Sequence, residues 1–145
     1  MLEAIHEQLI RLDLIVGETE AVYHEATLKL GLTDSAMNVL YTICMFDGVC
    51  PLKNIAALSG LPKQTVNSAL RKLEREAVLY LESVDGRKKR ACLTEKGREL
   101  CDGTVMLLMR IEDEIIGSWL PEERELYLSL TRRYLDALRE KIKEL

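Results

Sequence analysis

The sequence predicts a mainly α-helical fold built around a helix-turn-helix and a short β-hairpin, and three observations lead there. First, Ala56, Gly60 and Val66 stand in the spacing A-x3-G-x5-V. A small residue at Ala56 would let two helices approach closely, and Gly60 supplies the positive φ that a tight interhelical turn needs. Val66 then drops from the second helix into the angle between them. Second, Val84-Asp85-Gly86-Arg87-Lys88-Lys89-Arg90 places a D-G turn at a hairpin tip, with four cations in a row. Third, both ends of the chain carry apolar residues at heptad-like spacing.

The elements follow in order. Leu2, Ile5, Leu9, Leu12 and Val16 recur at steps of 3, 4, 3 and 4, the narrow seam of a helix that packs on another helix. That helix runs through Ala21, Tyr23 and Leu28 to a glycine stop at Gly31. Thr33 is placed to cap a second helix reaching about Phe46, and Asp47-Gly48 breaks it. Pro51 suits the first turn of a short helix, Leu52 to Leu58. After a turn at Ser59 to Pro62, the second helix of the motif spans Lys63 to Glu76, with Val66, Ala69, Leu70 and Leu73 inward. Val78 to Val84 and Lys89 to Leu93 form the hairpin. Thr94 caps one long helix with a core stripe of Leu100, Leu107, Leu108, Ile111, Ile115 and Trp119. Pro121 opens the last helix, with Glu122 and Glu123 in its first turn. Its seam is Leu128, Thr131, Leu135, Leu138, Ile142 and Leu145.

With 145 residues, one Phe, one Trp and 30% charged residues, the composition favours one domain of long amphipathic helices. No apolar run approaches the ~18 to 20 residues that span a bilayer. Glu3, Glu7 and Arg11 interrupt the N-terminus, so it does not read as a secretory signal. No membrane partner and a cytoplasmic location are expected. The net charge of −4 is unevenly spread: from Lys63 to Arg98 there are ten Lys or Arg against five Asp or Glu, and elsewhere ten against nineteen. Basic charge gathered in one segment is the footprint of a phosphate-binding face.

Cys44, Cys50, Cys92 and Cys101 show neither a C-x-x-C pair nor a zinc-ligand spacing. Cys44, inside the apolar run Val39 to Phe46, reads as a small buried hydrophobe. All four read as free thiols, with redox sensing at Cys50 or Cys101 the alternative. His6 and His24 are no metal signature, and neither metal nor cofactor is expected. Without G-x-S-x-G, a phosphate loop or H-E-x-x-H, the chain does not read as an enzyme.

On the outward face of the helix beginning near Lys63 lie Lys63, Gln64, Thr65, Asn67, Ser68 and Arg71. Gln and Asn bond adenine in a bidentate fashion, and Arg or Lys bond guanine. Gln64, Thr65, Asn67 and Ser68 are therefore candidates for bases or their flanking backbone, and Lys63 and Arg71 for phosphates. Such a helix beside a basic loop points to duplex DNA. The terminal seams, Leu2, Ile5, Leu9 and Leu12 with Leu128, Leu135, Leu138 and Ile142, suggest a homodimer. A two-fold dimer would read two half-sites of a pseudo-palindromic operator.

The chain resembles the MarR family of winged helix-turn-helix transcriptional regulators along nearly its whole length. The resemblance is carried by Lys63-Gln64-Thr65-Val66-Asn67 through Leu70-x-x-Leu73-Glu74, by Asp85-x-Arg87, and by Leu93-Thr94-x-x-Gly97 with Leu100. Gly86 stands where many relatives carry an arginine, and Ala77 where a glycine commonly ends the recognition helix, which implies a different exit. The resemblance implies about six helices plus a β-hairpin wing. Residues 1–30 form an N-terminal dimerisation helix, 31–98 a DNA-binding region and 99–145 C-terminal dimerisation helices. It implies Arg87 in the minor groove, with Lys88, Lys89 and Arg90 adding charge, and Asp85 holding the Arg87 guanidinium. It implies a sequence-specific, ligand-responsive homodimeric repressor. A thiol-responsive regulator of the same fold and a dimeric protein-binding module remain alternatives. A small-molecule effector would bind between the dimerisation helices and the winged region. His24, Tyr23, Met37, Tyr41 and Met45 are open to either that cleft or the core.

Overall fold

The computed structural model describes residues 1–145. The order is α1 (Leu2–Lys29), α2 (Asp34–Met45), β1 (Val49–Pro51), α3 (Leu52–Leu58), α4 (Lys63–Arg75), β2 (Leu79–Asp85), β3 (Lys88–Leu93), α5 (Glu95–Asp102), α6 (Val105–Gly117) and α7 (Pro121–Ile142). These elements divide into two compact units, Met1–Leu108 and Met109–Leu145.

In the first unit the core gathers Val39, Leu40 and Ile43 of α2, Ile55 of α3, and Val66, Leu70 and Leu73 of α4. Leu79, Ala91 and Val105 complete it from the sheet and the start of α6. Thr33 caps α2 as the sequence suggests, its hydroxyl accepting from Ala36 N at 3.1 Å. α1 ends in a left-handed turn at Gly31, φ 74°, with Leu32 N bonded to Thr27 O and Gly31 N to Leu28 O. Those bonds satisfy carbonyls that the helix end leaves open. His24 Nδ1 meets Asp34 at 2.8 Å, tying α1 to the start of α2.

The sheet has three antiparallel strands in the order β1-β3-β2. β1 is absent from the sequence reading because three residues are too few to show a period. Pro51 pairs with Arg90 at the end of this edge strand. It stands at the N-cap of α3, φ −58° and ψ 138°, not in the first turn. An edge position tolerates its missing N–H. Ala56 is a second correction. It is exposed, and α3 buries only Ile55, so Ala56 does not mediate the helix contact. Gly60 does adopt φ 69°, and Val66 is buried as expected.

The exit from α4 keeps a left-handed conformation even without glycine. Ala77 has φ 59°, Ala77 N bonds Glu74 O, and Val78 N bonds Leu73 O at 2.9 Å. Leu73 and Val78 are both buried beneath this double bond. The substitution therefore loads strain onto the same exit and does not redirect it.

The structure also gives a physical reason for the glycine of L-T-x-x-G. Thr94 caps α5 by accepting from Gly97 N at 3.0 Å. Its own N–H donates to Val78 O at 3.1 Å, and its hydroxyl donates to Ala77 O at 2.5 Å with Val78 O also within 3.1 Å. A Cβ on Gly97 would stand 1.9 Å from that same Val78 oxygen. Only a residue without a side chain lets α5 lie against the start of the wing.

The single long helix expected after Thr94 is two, broken at Gly103–Thr104. The Thr104 hydroxyl folds back on Leu100 O at 2.6 Å. Of the expected core stripe Leu108 is buried, and Leu100 and Trp119 are half-buried. Leu107, Ile111 and Ile115 are exposed, so this stripe is not a core within one chain.

In the second unit, α7 starts at Pro121 and Glu123 accepts from Leu120 N at 2.8 Å. Trp119 and Tyr127 meet edge to face, ring centres 5.3 Å apart. No residue of α7 is buried.

Two stability outcomes follow for urea denaturation. A left-handed alanine costs about 1 to 2 kcal/mol, offset in part by the greater freedom of glycine in the unfolded chain. Ala77→Gly is therefore expected to stabilise by up to about 1 kcal/mol. Gly97→Ala forces a backbone oxygen aside and is expected to destabilise by about 3 kcal/mol. An unchanged midpoint for Gly97→Ala would contradict the close approach.

Candidate nucleic-acid interface

α4 presents two chemically distinct faces. Val66, Ala69, Leu70 and Leu73, at steps of 3, 1 and 3, are buried and fix the helix in the core. Lys63, Gln64, Asn67, Ser68 and Arg71 are exposed, and Thr65 is half-buried. None of these six takes part in an ion pair. Pro62 at the N-cap offers no side-chain acceptor. The first-turn N–H groups of α4 are thus left for water or an anion.

Beside this face, Thr33, Ser35, Gln64, Thr65, Ser68 and Lys72 line an open cleft of about 440 Å3. Hydroxyls, a helix start and one cation form a suitable surface for phosphate oxygens. The sequence reading took Thr33 only as a cap and missed Ser35 and Lys72. The available signal was the pair of hydroxyls at the start of α2, but only the fold brings them to α4.

The hairpin differs in detail from expectation. β2 and β3 pair Ser83 with Lys89 and Asp85 with Lys88, a register shift that leaves Val84 as the extra residue. The loop is therefore Gly86-Arg87, with Gly86 at φ 50°. Asp85 is the last strand residue, and Arg87 sits at the tip. The Arg87 N–H donates to Asp85 O, but no ion pair joins the two side chains. The expected clamp of Asp85 on Arg87 is therefore not formed in the free chain.

The side-chain bond of the wing is instead Arg90 Nε to Glu82 Oε2, 3.0 Å across the strands. This bond, with a second from Cys92 Sγ at 3.4 Å, holds the Glu82 carboxyl below its usual range. A depressed carboxylate keeps its contact at neutral pH and loses it as acid protonates it. Arg90 is thus engaged within the wing, whereas Arg87, Lys88 and Lys89 are exposed and unpaired.

Of the residues left open between cleft and core, Met37 is buried in the core and Met45 is 58% exposed. His24 is engaged with Asp34. Cys44 is half-buried where full burial was expected. Cys50 is fully buried, and burial pushes its thiol up to about 11. No group of three or more His, Cys, Asp or Glu is arranged to hold a metal ion. No helix is long and apolar enough to cross a membrane.

A helix-turn-helix followed by a hairpin packed on a third short strand defines a winged helix. The MarR family model matches residues 30–90, and the solved structures most like the chain include several of that family. One is a MarR-family transcriptional regulator from Silicibacter pomeroyi, 25% identical, covering 86% of this chain and 84% of that one, TM-score 0.68. Another is NMB1585, a MarR-family regulator from Neisseria meningitidis, 23% identical, covering 92% and 94%, TM-score 0.76. A third is BpsR of Bordetella bronchiseptica, whose DNA binding is regulated by 6-hydroxynicotinic acid; it is 24% identical, covering 85% and 90%, TM-score 0.61. No curated protein matches the chain by sequence. Residues 30–90 thus match the MarR family of transcriptional regulators, and the fold over most of the chain is that of solved structures of that family.

Proposed function

We propose that the chain is a sequence-specific duplex-DNA-binding repressor that acts as a homodimer and responds to a small molecule. The observation that carries this reading is the uncommitted polar face of α4 beside a cationic hairpin tip. Asn67 and Gln64 suit adenine edges in the major groove. Thr65 and Ser68 suit bases or backbone, and Lys63, Arg71 and Lys72 suit phosphates. Arg87 at the loop tip would enter the minor groove, flanked by Lys88 and Lys89. Arg90 would contribute once freed from Glu82.

The dimer is supported by what one chain leaves uncovered. Leu2, Ile5, Leu9 and Leu12 of α1 are between 39% and 82% exposed, and Leu128, Leu135, Leu138 and Ile142 of α7 between 36% and 62%. Monomeric proteins rarely leave such continuous apolar seams in water. We assign residues 1–30 and 99–145 to dimerisation and 31–98 to DNA. A regulator of this kind works in the cytoplasm. The response of BpsR to 6-hydroxynicotinic acid supports a small-molecule input.

Titrations of a selected duplex against a random one, at several salt concentrations, separate the roles. Arg71→Ala should weaken both alike and flatten the salt dependence by about one unit of slope. Asn67→Ala should cost about 1 to 3 kcal/mol on the selected duplex and little on the random one. Equal losses on both for Asn67→Ala would remove it as a base reader.

A further inference from the structure

Two cysteines far apart in sequence meet in one cavity. Cys44, on the last turn of α2, and Cys101, on α5, line a space of about 310 Å3 together with Gly48, Arg98 and Met106. The two thiols open onto the same space and influence one another electrostatically. Cys44 is half-buried and Cys101 only 2% exposed, so a small molecule in the cavity reaches Cys44 first. The Arg98 guanidinium is held in the wall. It lies over Gly48, 2.9 Å from where a Cβ would stand, and Nη1 donates to Asp47 O at 3.5 Å.

We propose that Cys44 and Cys101 form a dithiol site that a hydroperoxide closes to an intramolecular disulfide. The Cys44 thiolate attacks one peroxide oxygen, the O–O bond breaks, and the departing oxygen takes up a proton and leaves as alcohol or water. Cys44 is then a sulfenic acid. Cys101 attacks its sulfur, giving up the thiol proton to the departing hydroxyl, and water leaves as the S–S bond forms. Two thiols lose two electrons, and the peroxide gains them.

The surroundings suit an attacking thiol and a resolving one. Interaction with the Cys101 thiol draws the Cys44 thiol below its ordinary range against the opposing effects of burial and Asp102, with Arg98 assisting. The same interaction, with burial, keeps Cys101 protonated until it is called on. Cys50 and Cys92 lack this arrangement. Burial raises both, and Cys92 Sγ is committed to Glu82. The site therefore differs from the Cys50 or lone Cys101 sensor considered from sequence.

The test treats the reduced chain with one equivalent of hydrogen peroxide, blocks free thiols, and maps peptides by mass. The expected result is loss of two hydrogens, a Cys44–Cys101 linked peptide, and a fall in blocked thiols from four to two. Cys101→Ser should halt at a Cys44 sulfenic acid that dimedone traps, and Cys44→Ser should leave its three thiols reduced. Four unreacted thiols, a linkage through Cys50 or Cys92, or further oxidation of Cys44 without a link would each overturn the proposal. The readout is covalent and uses no DNA, so its failure leaves the DNA-binding reading standing.

Discussion

The carbonyl of Val78 is the point on which the placing of α4, the wing and α5 depends. It accepts from the Thr94 amide, the Thr94 hydroxyl bonds the Ala77 carbonyl just before it, and Gly97 lies against it. One residue earlier, Ala77 turns the chain out of α4 through a left-handed conformation. Lys96 adds a bond to Glu76 O at 2.7 Å. The end of α4, the start of β2 and the start of α5 are thus joined at one place. On the proposed reading, a helix in one groove and a hairpin in the next would need a fixed spacing, which this junction would set. Rigid elements give more precise contacts than loops, because less freedom is lost when they bind.

The rest of the architecture follows from what is buried and what is left bare. The first unit closes its own core around α2, α4 and the sheet. α1 buries only Thr27, and α7 buries nothing. Helices so exposed gain little from packing within one chain, and short-range propensity alone stabilises helices weakly. Covering their seams with a second copy would supply that packing and would also bring two reading heads to one duplex. Dimerisation and DNA reading would then be parts of a single physical solution.

Much of this was legible in the sequence, and the reasons are specific. The buried positions of α4 show through because helical spacing is strict and its outward face is wholly polar. Thr33, Gly31, Gly60 and Thr94 show through because caps and left-handed turns demand particular residues. β1 was hidden by its length, and the break at Gly103–Thr104 by an apolar pattern that continues on both sides. Ala56 is small without being a contact, because α3 is too short to bury more than Ile55. The wing's true loop was obscured by the extra residue Val84, which shifts the partners and leaves Arg90 facing Glu82. Cys44 and Cys101 have no sequence relation at all; only the packing of α5 near the end of α2 makes them a pair.

The central claim is that two copies of this α4 and wing read duplex DNA by sequence. Its most direct test is selection from a randomised duplex pool at physiological salt, followed by sequencing of the retained fraction. The account predicts an inverted repeat with half-site centres about 10 base pairs apart, one helical turn, as two-fold related helices require. Retention that is weak, salt-sensitive and without any enriched sequence would contradict it.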